Sequence, residues 1–63
     1  MKIILTDKTN KVNKEIGQYP QSPIPRIGEK VVTGTDPAPA VIMVGYDYEN
    51  DVVMVVVDGF ILN

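Results

Sequence analysis

The sequence predicts a small all-β protein, and three features carry that expectation. Residues Val41-Ile42-Met43-Val44-Gly45-Tyr46-Asp47-Tyr48-Glu49-Asn50-Asp51-Val52-Val53-Met54-Val55-Val56-Val57 form two β-branched runs on either side of a polar, turn-prone centre. The 63 residues are 44% hydrophobic but include only three Tyr, one Phe and no Trp, so the core bulk must come from Val and Ile. Between Gly17 and Arg26 the prolines Pro20, Pro23 and Pro25 remove backbone donors and favour extended, polyproline-like geometry, which rules out a central strand there. The expected architecture is a single domain over residues 1–63, a small barrel of about five antiparallel strands with a proline-rich loop.

Taken in order, Lys2 to Thr6 is the first strand, and Asp7-Lys8-Thr9-Asn10-Lys11 is a turn favoured by its Asp and Asn. Val12 to Ile16 is a short return strand or, on its weak pattern, one helical turn. The proline segment should lie across the sheet as an ordered loop anchored by Tyr19, Ile24 and Ile27. Ile27-Gly28-Glu29-Lys30-Val31-Val32-Thr33 should open a further strand, with Gly28 relieving the backbone at a bend. Gly34-Thr35-Asp36-Pro37-Ala38-Pro39 breaks that strand as a surface loop. After the hairpin, Asp58-Gly59 is a tight-turn dipeptide, and Phe60-Ile61-Leu62 should pack as a final short strand or single turn.

The hairpin has two apolar faces. An even-length loop between Tyr48 and Asp51 places Ile42, Val44 and Tyr46 on one face with Val53, Val55 and Val57. The opposite face then carries Val41, Met43, Gly45, Val52, Met54 and Val56. A single antiparallel sheet wetted on one side would not show this pattern. Either the strands curl so that both faces are buried within one chain, or one face is a subunit or partner interface.

Size sharpens that choice. A domain of about 60 residues buries only about 60% of its unfolded surface and is marginally stable. Neither Cys nor His is present, so disulfides are impossible and a zinc site would lack its usual ligands. An unusually apolar core or homo-oligomerisation remains. The apolar run near Met1 ends at Asp7, too short for a secretion signal, and Val52 to Val57 is too short to span a bilayer. The expectation is a cytoplasmic protein with no membrane association.

Charge is uneven. Residues 1–30 hold all six Lys and Arg against three acids, and residues 31–63 hold five acids and no base, giving +3 and −5. The simplest account is that strands from the two halves are neighbours whose exposed charges pair. The other is a dipolar surface that steers a charged partner or sets subunit orientation.

Pro25-Arg26-Ile27-Gly28-Glu29-Lys30-Val31, a proline-interrupted loop, then Val44-Gly45-Tyr46-Asp47-Tyr48-Glu49-Asn50 and a valine-rich strand resemble a group of short phage and prophage proteins. That group shares a Pro-Arg-Ile-Gly-Glu start, an Asp-Tyr-acid-Asn hairpin tip and an alternating final strand. The segment around Gly28 is also similar to the start of a core strand in SH3-like barrels. The likeness covers about residues 24–58. It implies a phage origin, hence a host-cytoplasm location, and a small SH3-like barrel, and it carries over no catalytic residue.

Catalysis is hard to stage here. The single serine, Ser22, has no base beside it, and no Gly-rich phosphate loop precedes a helix, so no catalytic residue and no cofactor are expected. Asp47, Glu49, Asp51 and Asp58 approach a calcium-loop spacing, but Val52 stands where the loop needs Gly, and no metal site is expected. A net charge of −2 provides little of the phosphate attraction on which nucleic-acid affinity depends. Lys2, Lys8, Lys11 and Lys14 read better as protection of a sheet edge. Tyr19, Tyr46 and Tyr48 are the residues suited to stacking and Arg26 is the one guanidinium, with Lys30 close by in sequence. If they converge they could hold an anionic ligand or a partner loop; otherwise the tyrosines pack at a rim and Arg26 pairs with a nearby acid.

The functional expectation is therefore a non-enzymatic protein acting by stoichiometric binding. Its partner is a host protein, in a counter-defence or host-takeover role, or a small anionic signal such as a cyclic nucleotide held at pockets between subunits by Arg26, Lys30 and tyrosines. A structural or nucleic-acid-associated phage module is a third class.

Overall fold

The computed structural model describes residues 1–9, 11–32, 34 and 38–58. Among them four strands, β1 (Lys2–Asp7), β2 (Asn13–Gln18), β3 (Val41–Asp47) and β4 (Val52–Val57), form one open mixed sheet in the order β2-β1-β4-β3. The all-β class agrees with the expectation. The strands are not all antiparallel, however, because β1 and β4 run parallel from Lys2↔Val52 to Asp7↔Val57. A fifth strand and barrel closure are not seen among the described residues. Gly59 of the anticipated Asp58-Gly59 turn, the final Phe60-Ile61-Leu62 element and part of the Gly34–Pro39 loop lie outside them.

Parallel neighbours need a long connection, and this connection makes the core. Residues 19–32 leave the end of β2 and lie over one face of the sheet. Beneath them Ile3 and Leu5 of β1, Val53, Val55 and Val57 of β4, and Val41 form the fully buried cluster. Ile24 and Val31 of the crossover pack on that cluster, while Ile27 is 68% exposed and anchors nothing. β1 and β4 supply matched apolar residues on this face because register pairs Ile3↔Val53 and Leu5↔Val55.

The turn after β1 has the Asp chemistry that the sequence suggested. The Thr9 N–H donates to Asp7 Oδ1 at 3.0 Å, the Lys11 N–H donates to the Asp7 carbonyl at 2.9 Å, and Lys11 adopts φ 56°. The return segment is a strand, Asn13–Gln18, and not a helical turn. Residues 27–32 do not form the expected strand. Gly28 turns the chain at φ 91°, and among the described residues the pairing beyond it amounts to one isolated bridge, Lys30↔Ala40, beside which the Val31 N–H donates to the Pro39 carbonyl at 2.9 Å.

The hairpin keeps the predicted pairing of faces over most of its length, with Val44↔Val55 and Tyr46↔Val53. A bulge between Val41 and Met43 changes it at the open end. The extra residue lets Val41, 2% exposed, enter the core opposite Val57, and turns Ile42 out to 45% exposure. The second face carries Ile4, Val52, Met54, Val56, Met43 and Gly45, and both Met43 and Met54 are more than a third exposed. Among the described residues no helix is long and apolar enough to cross a membrane.

Candidate functional groove

The crossover leaves β2 through a tight corner. The Tyr19 N–H donates to the Met1 carbonyl at 2.7 Å, and the Ser22 N–H donates to the Gln18 carbonyl at 2.6 Å. The Gln18 N–H in turn donates to Ser22 Oγ at 3.3 Å. Gly17 permits this approach, because a Cβ there would lie 2.6 Å from Ser22 Oγ and 2.7 Å from Ser22 Cβ. Ser22, which sequence inspection considered only as a nucleophile, therefore has a structural role. The Tyr19–Pro20 peptide is cis.

Further on, the Arg26 N–H donates to Glu29 Oε1 at 2.6 Å. The Gly28 N–H donates to the Val41 carbonyl at 2.9 Å, and the Val41 N–H returns a bond to the Glu29 carbonyl at 2.8 Å. These bonds pin the crossover to the start of β3. Between this pin and the Gly17–Ser22 corner, the crossover stands away from the lower half of β3 and leaves an open groove of about 670 Å³.

The groove brings together residues from distant parts of the chain. Tyr19, Pro20, Pro23, Pro25, Arg26 and Ile27 of the crossover line it together with Val44 and Tyr46 of β3. Tyr19 meets Tyr46 edge to face, with centroids 6.4 Å apart. Tyr48, 81% exposed, extends the aromatic row beyond the groove by stacking on Tyr46 at 6.2 Å with an interplanar angle of 16°. Among the described residues no carboxylate lies within ion-pair distance of the Arg26 guanidinium; the nearby Glu29 carboxylate is engaged by the Arg26 backbone instead. Lys30 is not in this groove. It borders a neighbouring hollow of about 280 Å³ with Pro23, Ile24, Pro25 and Glu29.

Of the five candidate site residues, Tyr19, Tyr46 and Arg26 thus share one groove, Tyr48 adjoins it, and Lys30 stands apart. The apolar contributors Val44 and Ile27 were not singled out as site residues. No local signal marks them, because only the path of the crossover above β3 brings them to the groove.

The acidic hairpin tip is organised locally. The Asn50 N–H donates to Asp47 Oδ1 at 3.1 Å and Asn50 Nδ2 donates to Asp47 Oδ2 at 2.8 Å. Bonds from the Asn50 side chain and backbone hold the Asp47 pKa below its ordinary value. Among the described residues no group of three or more metal-ligating side chains is found. Lys2 Nζ lies 4.0 Å from Glu15 Oε1, a pairing within the basic half of the chain, while the N-terminal ammonium of Met1 lies 3.8 Å from Asp51 Oδ1 and joins the two halves. No protein-family model, no curated protein and no solved structure matches the chain.

Proposed function

We infer that this is a non-enzymatic protein that acts by stoichiometric binding and takes its partner in the tyrosine–proline groove. The observation that carries the reading is the gathering of Tyr19, Tyr46 and an Arg26 free of carboxylates among the described residues onto one open channel. Aromatic rings beside prolines suit an extended, proline-containing segment of a partner protein, whose rigid backbone loses little entropy on docking. Arg26 adds preference for an acidic side chain on that segment. With the resemblance to short phage proteins, the role is occlusion of a host protein in counter-defence or host takeover, in the host cytoplasm. Binding at this groove needs neither a fifth strand nor closure into an SH3-like barrel.

A second reading, sequestration of a small anionic signal such as a cyclic nucleotide, is favoured by the near-parallel Tyr46–Tyr48 pair, which offers a stacking face at the groove that Arg26 also lines. The two are separated by titrating the ¹⁵N-labelled protein with a synthetic acidic polyproline hexapeptide and, separately, with cyclic AMP. Peptide-induced shifts confined to Tyr19, Arg26, Val44 and Tyr46, and lost in Arg26→Ala, support the occlusion reading. Shifts with cyclic AMP alone transfer support to the second. No response to either probe at millimolar concentration overturns the groove as a binding site.

A further inference from the structure

The two edges of the sheet are built differently. Along β2 the outer edge carries exposed Lys14 and Glu15, and its register with β1 is irregular, both of which discourage another strand from adding. Along β3, Val41 to Tyr46 contains no charge, and Ile42, Met43 and Tyr46 are each nearly half exposed. The outer side of β3 already accepts a partner at its beginning, where Val41 exchanges hydrogen bonds with Gly28 and Glu29. Past that point no described segment continues the row, so the edge from Met43 to Asp47 faces outward unpaired among the described residues.

We propose that this edge pairs with β3 of a second copy of the chain, antiparallel and about a two-fold axis near Gly45. Charge selects this occupant. In such a pairing the row that begins with Gly28–Lys30 of one copy runs on into β3 of the other, so the crossover segment of each meets the hairpin tip of its partner. Lys30 and Glu49 then face each other across the seam, while the neighbouring Glu29 carboxylate is held by the Arg26 N–H of its own chain. Among the described residues neither Lys30 nor Glu49 has an ion-pair partner within its own chain, and the two-fold forms the contact twice. A strand of unlike sequence would match the apolar edge without matching this arrangement of charge. The axis stands normal to the sheet, so both copies present the same face on the same side. The two tyrosine–proline grooves then lie side by side, with a Tyr46 from each near the seam.

Sedimentation velocity and light scattering of the intact chain, from micromolar to millimolar concentration, test the pairing. The expected result is a mass of two chains. Met43→Lys, which places a charge on the exposed edge away from the core, gives a mass of one chain with an unchanged circular-dichroism spectrum. Lys30→Glu and Glu49→Lys, both at exposed positions, each weaken the dimer on the order of tenfold, and the double reversal restores it. These charge variants decide the matter even if Met43→Lys does not fold. A single-chain mass at every concentration overturns the proposal. So does a mass above two chains, or a dimer indifferent to both charge reversals.

Discussion

Tyr19 and Tyr46 meet edge to face, with ring centroids 6.4 Å apart and planes at 77°. One ring closes the corner after β2 and the other lies on β3 at the far side of the sheet, so their contact ties the crossover to the strand over which it arches. Aromatic pairs of this geometry contribute about 0.5–1.5 kcal/mol beyond the area they bury. Tyr19→Ala is expected to lower unfolding stability by about 1 kcal/mol in urea and to shift the Tyr46 ring resonances. Tyr19→Phe, which keeps the ring, should do neither. Equal losses in the two variants would count against the ring contact.

Gly17 is the tightest point of the corner, because any Cβ would enter the space of Ser22. Overpacking of this kind costs about 1–3 kcal/mol. Gly17→Ala should lose that amount in urea unfolding, and Gly17→Ala combined with Ser22→Gly should recover part of it. A fully stable Gly17→Ala would show that the corner opens at little cost.

The two apolar faces of the sheet should respond differently to truncation. Leu5 is fully buried beneath the crossover, and Leu5→Ala is expected to cost about 2–5 kcal/mol, enough to unfold much of so small a domain. Met54 lies on the other face at 37% exposure, and Met54→Ala should cost less than about 1 kcal/mol in the monomeric Met43→Lys background. Comparable losses at both positions would mean that the crossover does not mark the one core face.

Asp47 titrates below its ordinary value of 3.8 because the Asn50 side chain and backbone bond its charged form. A depressed carboxylate pKa adds stability that is present above the unfolded value and is lost as pH falls through the folded one. Carbon-detected NMR titration should place Asp47 below the ordinary value of 3.8, and Asn50→Ala should raise it toward that value. An unchanged midpoint in Asn50→Ala would remove the Asn50 side chain as the leading cause.

The sequence by itself determined the elements whose causes are local. Alternation and β-branching located β1 and the two arms of the hairpin, Asp and Asn marked the first turn, and the period of two correctly put Val44 with Val55 and Tyr46 with Val53. The proline segment was legible as an extended crossover because missing donors bar it from a sheet centre. What depended on distant partners was decided by the tertiary structure. β1 lies parallel to β4 because that pairing aligns Ile3, Leu5, Val53 and Val55 under one cover, a match between segments that neither one signals alone. The bulge at Ile42 admits Val41 to the core, and Gly28 turns residues 27–32 aside before a strand can form. The site divides in the same way. Stacking chemistry marked Tyr19, Tyr46 and Arg26 one at a time, but the path of the crossover above β3 alone brings them to one groove and leaves Lys30 outside it, since that path follows from burial of Ile24 and Val31 and not from any local pattern.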